Sequence, residues 1–267
     1  MHDQNDIEDI RAASFDSVAG LYEEARAGYP REVYEEMEKY VSFSQRTRLL
    51  EIGAGEGKAT WDIYQRWQPQ VTAIEPGQAL RKLLRKRFQE ADGIRIVGTR
   101  FEEFIPEEPY DCIVSATAFH WVKKDVRYTK TAQLLKEKGH LVLYWNNYSR
   151  NDEPIFDEIQ EIYRFYHPDE AKRRDIREAH REKIDGRRRE LAESGYFRLV
   201  SHREYIHMKN YTAKGYADLL RTFSDNSTRD ERSLSVFYHA IEDVIRKNGD
   251  RLELPIHVNL EIGAKNR

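Results

Sequence analysis

One cysteine in 267 residues leaves no partner for an intramolecular disulfide. Cys112 stands inside the apolar run Cys112-Ile113-Val114, where a small buried hydrophobe is expected rather than a reactive thiol. An excess of one charge is missing too, with Lys plus Arg at 44 against 47 for Asp plus Glu and a net charge of -3. Such a balance gives no global attraction to phosphate backbones or anionic membranes. No stretch approaches the roughly 18 apolar residues of a membrane span. The acidic opening MHDQNDIEDI has no apolar signal-peptide core, so a cytoplasmic protein without a nucleic-acid or membrane partner is expected. Repeats, low-complexity tracts and Pro-rich linkers are also missing, which argues for one core with insertions rather than separately folding domains.

What is present is an alternation. Short apolar runs at Arg48 to Ile52, Gln70 to Ile74, Ile94 to Val97, Asp111 to Ser115 and His140 to Trp145 read as parallel strands buried on both faces. Helical patterns separate them, the last being Arg127 to Lys138, ended by Gly139. An α/β fold follows, doubly wound, with a mostly parallel sheet. Beyond Trp145, the segment Glu153 to Glu190 carries helix-spaced Ile155, Ile159, Ile162 and Phe165 and then mixed charges. Its Arg187-Arg188-Arg189 run is flanked by acids and reads as a solvated face. Gly195 ends a helix, and Phe197 to Met208 and Leu252 to Ile262 complete a seven-stranded sheet. Helical patterns at Thr212 to Phe223 and Asp230 to Lys247 lie between those two strands.

The most informative segment is Glu51-Ile52-Gly53-Ala54-Gly55-Glu56-Gly57, a buried strand running into alternate glycines. Glycines at such a turn let the backbone bend sharply and approach a ligand closely. A nucleotide P-loop does not fit, because the position five before Gly57 is Ile52 and Lys58 is followed by Ala59. A dinucleotide fingerprint fails as well, since its third glycine would fall at Lys58. Glu75 ends the second strand about 20 residues past the loop, where a carboxylate can accept two ribose hydroxyls. No metal-ligand spacing or nucleophile triad is present. His120, after the fourth strand, is the candidate base or substrate anchor.

Glu51-Ile52-Gly53-Ala54-Gly55-Glu56-Gly57 followed by Ile74-Glu75-Pro76 resembles the first two motifs of class I S-adenosylmethionine-dependent methyltransferases. Tyr110-Asp111-Cys112-Ile113-Val114-Ser115-Ala116-Thr117-Ala118-Phe119-His120-Trp121 resembles the fourth-strand motif of the small-molecule branch, in particular the group related to trans-aconitate methyltransferase. Phe15-Asp16 with Tyr22, Arg26 and Gly28-Tyr29-Pro30 resembles that group's N-terminal cover over the cofactor.

The resemblance implies a Rossmann-like methyltransferase fold with helical lid insertions, using S-adenosylmethionine and releasing S-adenosylhomocysteine. Residues 1–150 would be the cofactor-binding part with its cover, and 151–184 a helical lid. Residues 185–267 would complete the core around a second insertion at about 209–250. Gly53, Ala54 and Gly55 would pass under the methionine part, Glu51 would help to orient it, and Glu75 would hold the ribose. Pro76 and Ala116 would line the cofactor, with Tyr22 and Arg26 over it. The position that in the family often carries an acid for adenine reads Arg100, which leaves adenine to the Phe101 backbone and apolar packing. Tyr29, His120 and Trp121 would face a small-molecule acceptor, and Arg26 could pair with a carboxylate substrate. Two alternatives remain at this point: a cofactor-binding protein without transferase activity, and a spermidine-synthase-like group transferase. Against the second, no acids follow the fourth strand to receive a polyamine. Oligomeric state is not encoded in any of these patterns.

Overall fold

The computed structural model describes residues 19–168, 176–223 and 230–266. Phe15 and Asp16 lie outside the described residues, as does the side chain of Tyr22. By their contacts the residues form two compact units.

The larger unit, Gly28–Asn146, Ile184–Tyr205 and Val258–Arg267, carries most of the sheet. It begins with α2 (Arg31–Glu38), the preceding helix α1 (Ala19–Ala25) belonging to the other unit. Then come β1 (Arg48–Ile52), α3 (Lys58–Trp67), β2 (Gln70–Ile74), α4 (Gln78–Arg87) and β3 (Ile94–Val97). Next are β4 (Tyr110–Ala116), α5 (Lys124–Leu134) and β5 (Leu135–Tyr148). After a second helical region the chain returns with α7 (Ile176–Glu193), β6 (Phe197–Tyr211) and β7 (Leu252–Lys265). The seven strands are ordered β3-β2-β1-β4-β5-β7-β6. β1 pairs in parallel with β2 and β4, β2 with β3, and β4 with β5. Chain order reverses between β1 and β4, which makes their carboxyl ends the topological switch point where open α/β sheets bind ligands.

Burial explains why these runs are strands. Leu49, Leu50, Ile113, Val114, Leu141 and Val142 are all fully enclosed, as residues of a sheet covered on both faces must be. α4 shows the complementary pattern, with Leu80 and Leu84 inward and Arg85, Lys86 and Arg87 in its last turn, where cations offset the helix dipole.

Two expectations need correction. The helix expected over Arg127 to Lys138 is instead α5, ending at Leu134, and β5 starts at Leu135. Leu135 pairs with Tyr110 and His140 with Cys112, so Lys136 to Gly139 bulge out of the ladder. Gly139 therefore stands inside a strand, and a Cβ there would meet the Leu135 side chain at 2.8 Å. The Arg187-Arg188-Arg189 run is also not uniformly solvated. Arg187 falls on the stripe of α7 that carries buried Ile184 and Leu191, and its guanidinium lies 4.2 Å from the Trp145 ring centroid. Gly195 does end α7, with φ +79.

The smaller unit takes in the described residues of Met1–Ala27, Asn147–Lys183 and Ile206–His257. α1 belongs to it, with α6 (Pro154–Tyr166), α8 (Ala213–Arg221) and α9 (Glu231–Lys247). Its own core gathers Ile155, Ile159, Leu219, Phe237, Ile241 and Leu254. The Thr212 and Asp230 side chains cap α8 and α9 by accepting from Gly215 N and Ser233 N.

Candidate functional site

Three glycines of the β1–α3 turn take left-handed conformations for three different reasons: Gly53 at φ +70, Gly55 at +60 and Gly57 at +89. Gly53 makes room for β4's continuation, since a Cβ would come 2.4 Å from the Ala118 Cβ. Gly57 makes room for α4, where a Cβ would meet Leu84 at 2.5 Å and Phe88 at 2.8 Å. At Gly55 a Cβ would meet nothing within 4 Å, so the backbone there presents an open face. The loop is tied to β2 by Gly53 N and Ala54 N, which both donate to Ile74 O at 2.9 Å.

Glu75 completes this tie. Its Oε2 accepts from Gly55 N at 2.8 Å and its Oε1 from Gly77 N at 2.7 Å, so one carboxylate bridges the glycine loop and the turn into α4. Arg81 fixes the same turn, donating from Nη1 to Glu75 O and Pro76 O at 2.8 Å. Pro76 is exposed at the bend.

Beneath the loop, Glu51 is 0% exposed. Its Oε2 accepts from Thr60 Oγ1 at 2.5 Å, and its Oε1 has no hydrogen-bond partner. Burial pushes this carboxyl up to about 8 against the pull of the Thr60 hydroxyl, with Glu56, Asp62 and Glu75 adding to the rise. A buried carboxyl oxygen without a donor is uncommon in folded proteins.

The end of β4 closes the site from the other side. Ser115 Oγ donates to Ile52 O at 2.8 Å, locking the two strand ends together. Ala116 is the last residue of β4, and Thr117 follows with φ 56. For a β-branched residue this conformation costs on the order of 1–3 kcal/mol and persists only when its surroundings over-determine it. They do: Thr117 N donates to Tyr144 O at 2.7 Å, and Thr117 Oγ1 accepts from Asn146 N at 3.2 Å. Thr117 Oγ1 also hydrogen-bonds Tyr29 Oη at 2.9 Å. The Tyr29 ring packs edge-on against Tyr144, with centroids 4.7 Å apart. A tight turn, Phe119–Trp121, then buries Phe119 and leaves His120 exposed, with Trp145 Nε1 donating to His120 Nδ1 at 3.2 Å.

The structure thus brings Glu51, Gly53, Ala54, Gly55, Glu75, Ala116, Tyr29, His120 and Trp121 together in the larger unit at the carboxyl ends of β1, β2 and β4. Phe101 belongs to this unit too, its side chain 3% exposed within the core. Arg26 belongs to the smaller unit. There its Nε donates to Thr222 Oγ1 and its Nη2 to Thr222 O, both at 2.8 Å, with the guanidinium 4.6 Å from the Phe223 ring centroid. Sequence reasoning missed Thr60, Gly77, Arg81, Thr117, Tyr144, Asn146 and Trp145. The only available signal was the Thr117-Ala118 pair after a strand, which propensity alone would not have read as a turn with positive φ. Among the described residues no group of three or more His, Cys, Asp or Glu could hold a metal ion, and no helix is long and apolar enough to cross a membrane.

Comparison with known proteins agrees with this geometry. Residues 49–139 match the family model described as a methyltransferase domain. An uncharacterized methyltransferase of Mycobacterium tuberculosis is 30% identical over 133 residues, 50% of this chain and 52% of that protein. One from Schizosaccharomyces pombe is 29% identical over 125 residues, 47% of this chain and 49% of that protein. The matched region thus spans about half the length of these curated relatives. Among solved structures, a candidate type II methyltransferase from Anaeromyxobacter dehalogenans superposes with a TM-score of 0.63 at 16% identity. It covers 90% of this chain and 97% of that one. An S-adenosylmethionine-dependent methyltransferase from Thiobacillus denitrificans, solved with S-adenosyl-L-homocysteine, gives 0.53 at 11% identity, covering 92% and 96%. At such identities the likeness establishes the fold, a Rossmann-like methyltransferase sheet.

Proposed function

We propose that this chain is a class I S-adenosylmethionine-dependent methyltransferase of the branch related to trans-aconitate methyltransferase, acting on a small molecule in the cytoplasm. The observation that carries the reading is the Glu75 carboxylate, fixed by Gly55 N and Gly77 N at the end of β2 beside the glycine loop and the switch point, where an acid accepts from ribose hydroxyls. Two further features fit the same group. The open face at Gly55 suits close approach of a ligand to backbone, and the unpartnered Glu51 Oε1 suits the amino end of a methionine moiety, directly or through a water.

Gly53, Ala54, Gly55 and Glu51 would hold the methionine part, Glu75 the ribose, and Pro76, Phe101 and Ala116 the surrounding wall, with Tyr22 and Arg26 assigned to the cover. When bound, the cofactor supplies a methyl group already activated by its sulfonium. The chain's task is to orient an acceptor lone pair and keep water out, and orientation alone can lower a barrier by about 7–11 kcal/mol. Tyr29, His120 and Trp121 serve the acceptor side, and segments 151–184 and 209–250 select the acceptor.

Titration calorimetry tests the cofactor assignment: S-adenosylmethionine and S-adenosylhomocysteine bind, and NAD and ATP do not. Comparable affinity for NAD, or no binding of either sulfur compound, would sink it. Incubation with methyl-labelled cofactor and a panel of small carboxylates, phenols and amines then separates a catalyst from a binder. Hydrogen exchange with and without S-adenosylhomocysteine tests the selecting role of the two helical segments, through ligand-dependent slowing there as well as in residues 50–120.

A further inference from the structure

His120 has two ring nitrogens, and the fold has already chosen what one of them does. Trp145 Nε1 lies 3.2 Å from His120 Nδ1. An indole nitrogen can only donate, so Nδ1 must offer a lone pair, and the imidazole proton then belongs on Nε2. We propose that Trp145 is a positioning residue for His120, holding it as the neutral Nε2–H tautomer, so that the imidazole acts as a hydrogen-bond donor and not as a general base.

The support for Trp145 is itself specific. Its ring is backed by the Arg187 guanidinium, 4.2 Å from the ring centroid, within the distance at which a cation is drawn to an aromatic face. That contact fixes the plane of the indole and with it the direction of Nε1–H. Arg187 stays charged at neutral pH although burial lowers it to about 10. Glu261, fully enclosed and electrostatically coupled to it, is pushed by its own burial up to about 7. Arg127 and Tyr128 act on Arg187 in the same cluster. An imidazolium at His120 in this position would set an Nδ1–H against the indole N–H, two donors facing each other with no acceptor between them. Trp121, 4.9 Å away by ring centroids, flanks the imidazole on its other neighbour in sequence.

The chemical consequence rests on the methyl-transfer reading. A donor Nε2–H can hold an acceptor molecule through an oxygen or nitrogen lone pair, but it cannot take a proton from that molecule. Transfer would therefore start from an acceptor atom whose lone pair is available without His120 removing a proton. The tautomer does not depend on that reading and is measured separately.

The test is two-bond proton–nitrogen correlation NMR on protein carrying nitrogen-15 histidine, with the His120 signals identified by their loss in His120→Gln. In the wild-type protein His120 is expected to show a protonated-type Nε2 and an unprotonated-type Nδ1. Trp145→Phe, checked for folding by a cooperative melt, is expected to shift both nitrogens toward the averaged values of mixed tautomers. A wild-type spectrum with the proton on Nδ1, or one with both nitrogens protonated at neutral pH, overturns the proposal without any variant. Trp145→Phe with both His120 nitrogens unchanged overturns it as well. Absence of S-adenosylhomocysteine binding in calorimetry, with the wild-type tautomer as expected, would count against the methyl-transfer reading alone.

Discussion

The two compact units are held in different ways. At the carboxyl ends of β1, β2 and β4 in the larger one, position is set by individual polar atoms: Ile74 O receiving two N–H groups, Glu75 bridging Gly55 and Gly77, and Thr117 held by Tyr144, Asn146 and Tyr29. In the smaller one, α6, α8 and α9 are held mainly by interdigitated apolar side chains such as Ile159, Phe237 and Ile241, with ion pairs such as Lys214–Asp218 on the surface. A directional bond fails when one atom is removed, whereas an apolar core adjusts to swaps of similar volume. Ligand geometry is therefore expected to depend sharply on single residues in the first unit and weakly on most in the second.

The largest effect should come from Gly53→Val. The new side chain collides with Ala118 at a backbone angle that L-residues resist, so binding of S-adenosylhomocysteine should be lost, with a stability cost of about 1–3 kcal/mol. Calorimetry and a thermal melt read both, and a variant that bound normally would break the comparison at its strongest point. Glu75→Ala follows, with binding weakened by roughly 2 kcal/mol, since hydrogen bonds to a charged acceptor contribute about 1.5–3 kcal/mol.

Glu51→Gln sharpens the comparison through pH. Below the ordinary value of 4.5 the acid is protonated both folded and unfolded, and above about 8 it is ionised in both. Between them only the unfolded chain ionises, so Glu51 costs stability progressively as pH rises through that window. The melting temperature of the wild-type protein relative to Glu51→Gln should fall from pH 5 to pH 8. Glu261, raised to about 7, acts in the same direction but is common to both proteins and cancels in the difference. A constant difference across that range would mean that Glu51 is not buried as described. The smallest effect belongs to the other unit: Ile241→Val in α9 should cost about 0.5–1.5 kcal/mol in a melt and leave S-adenosylhomocysteine affinity unchanged.

The carboxyl edge of the sheet at β1, β2 and β4 was the legible part of the sequence. Buried parallel strands need continuous apolar runs, and glycines at a strand-to-helix turn with an acid after the next strand leave few readings, so β1, β2, β4, the loop and Glu75 stood out. What the sequence hid depends on contacts between distant residues. Lys136-Glu137-Lys138 continues a helical pattern, and only pairing of Leu135 with Tyr110 turns that stretch into the start of a strand. Thr117 has a residue type that disfavours its conformation, which three partners from Tyr29, Tyr144 and Asn146 impose. Arg187 looked solvated among like residues, yet α7 turns it onto Trp145. Arg26 has the chemistry to clamp an anion, and its neighbours Thr222 and Phe223 could not be foreseen.

The fit of Ala118 against Gly53 bears on the order in which the protein assembles. The two residues are far apart in sequence, and chains pay the entropy of closing such a loop before the contact rewards them. During synthesis the glycine motif emerges well before the segment that shapes it, so a chain that ended ahead of β4 would carry the motif without its geometry. Ligand affinity should appear late and abruptly in refolding, when β4 docks beside β1, and not gradually with the formation of the first β–α–β segment.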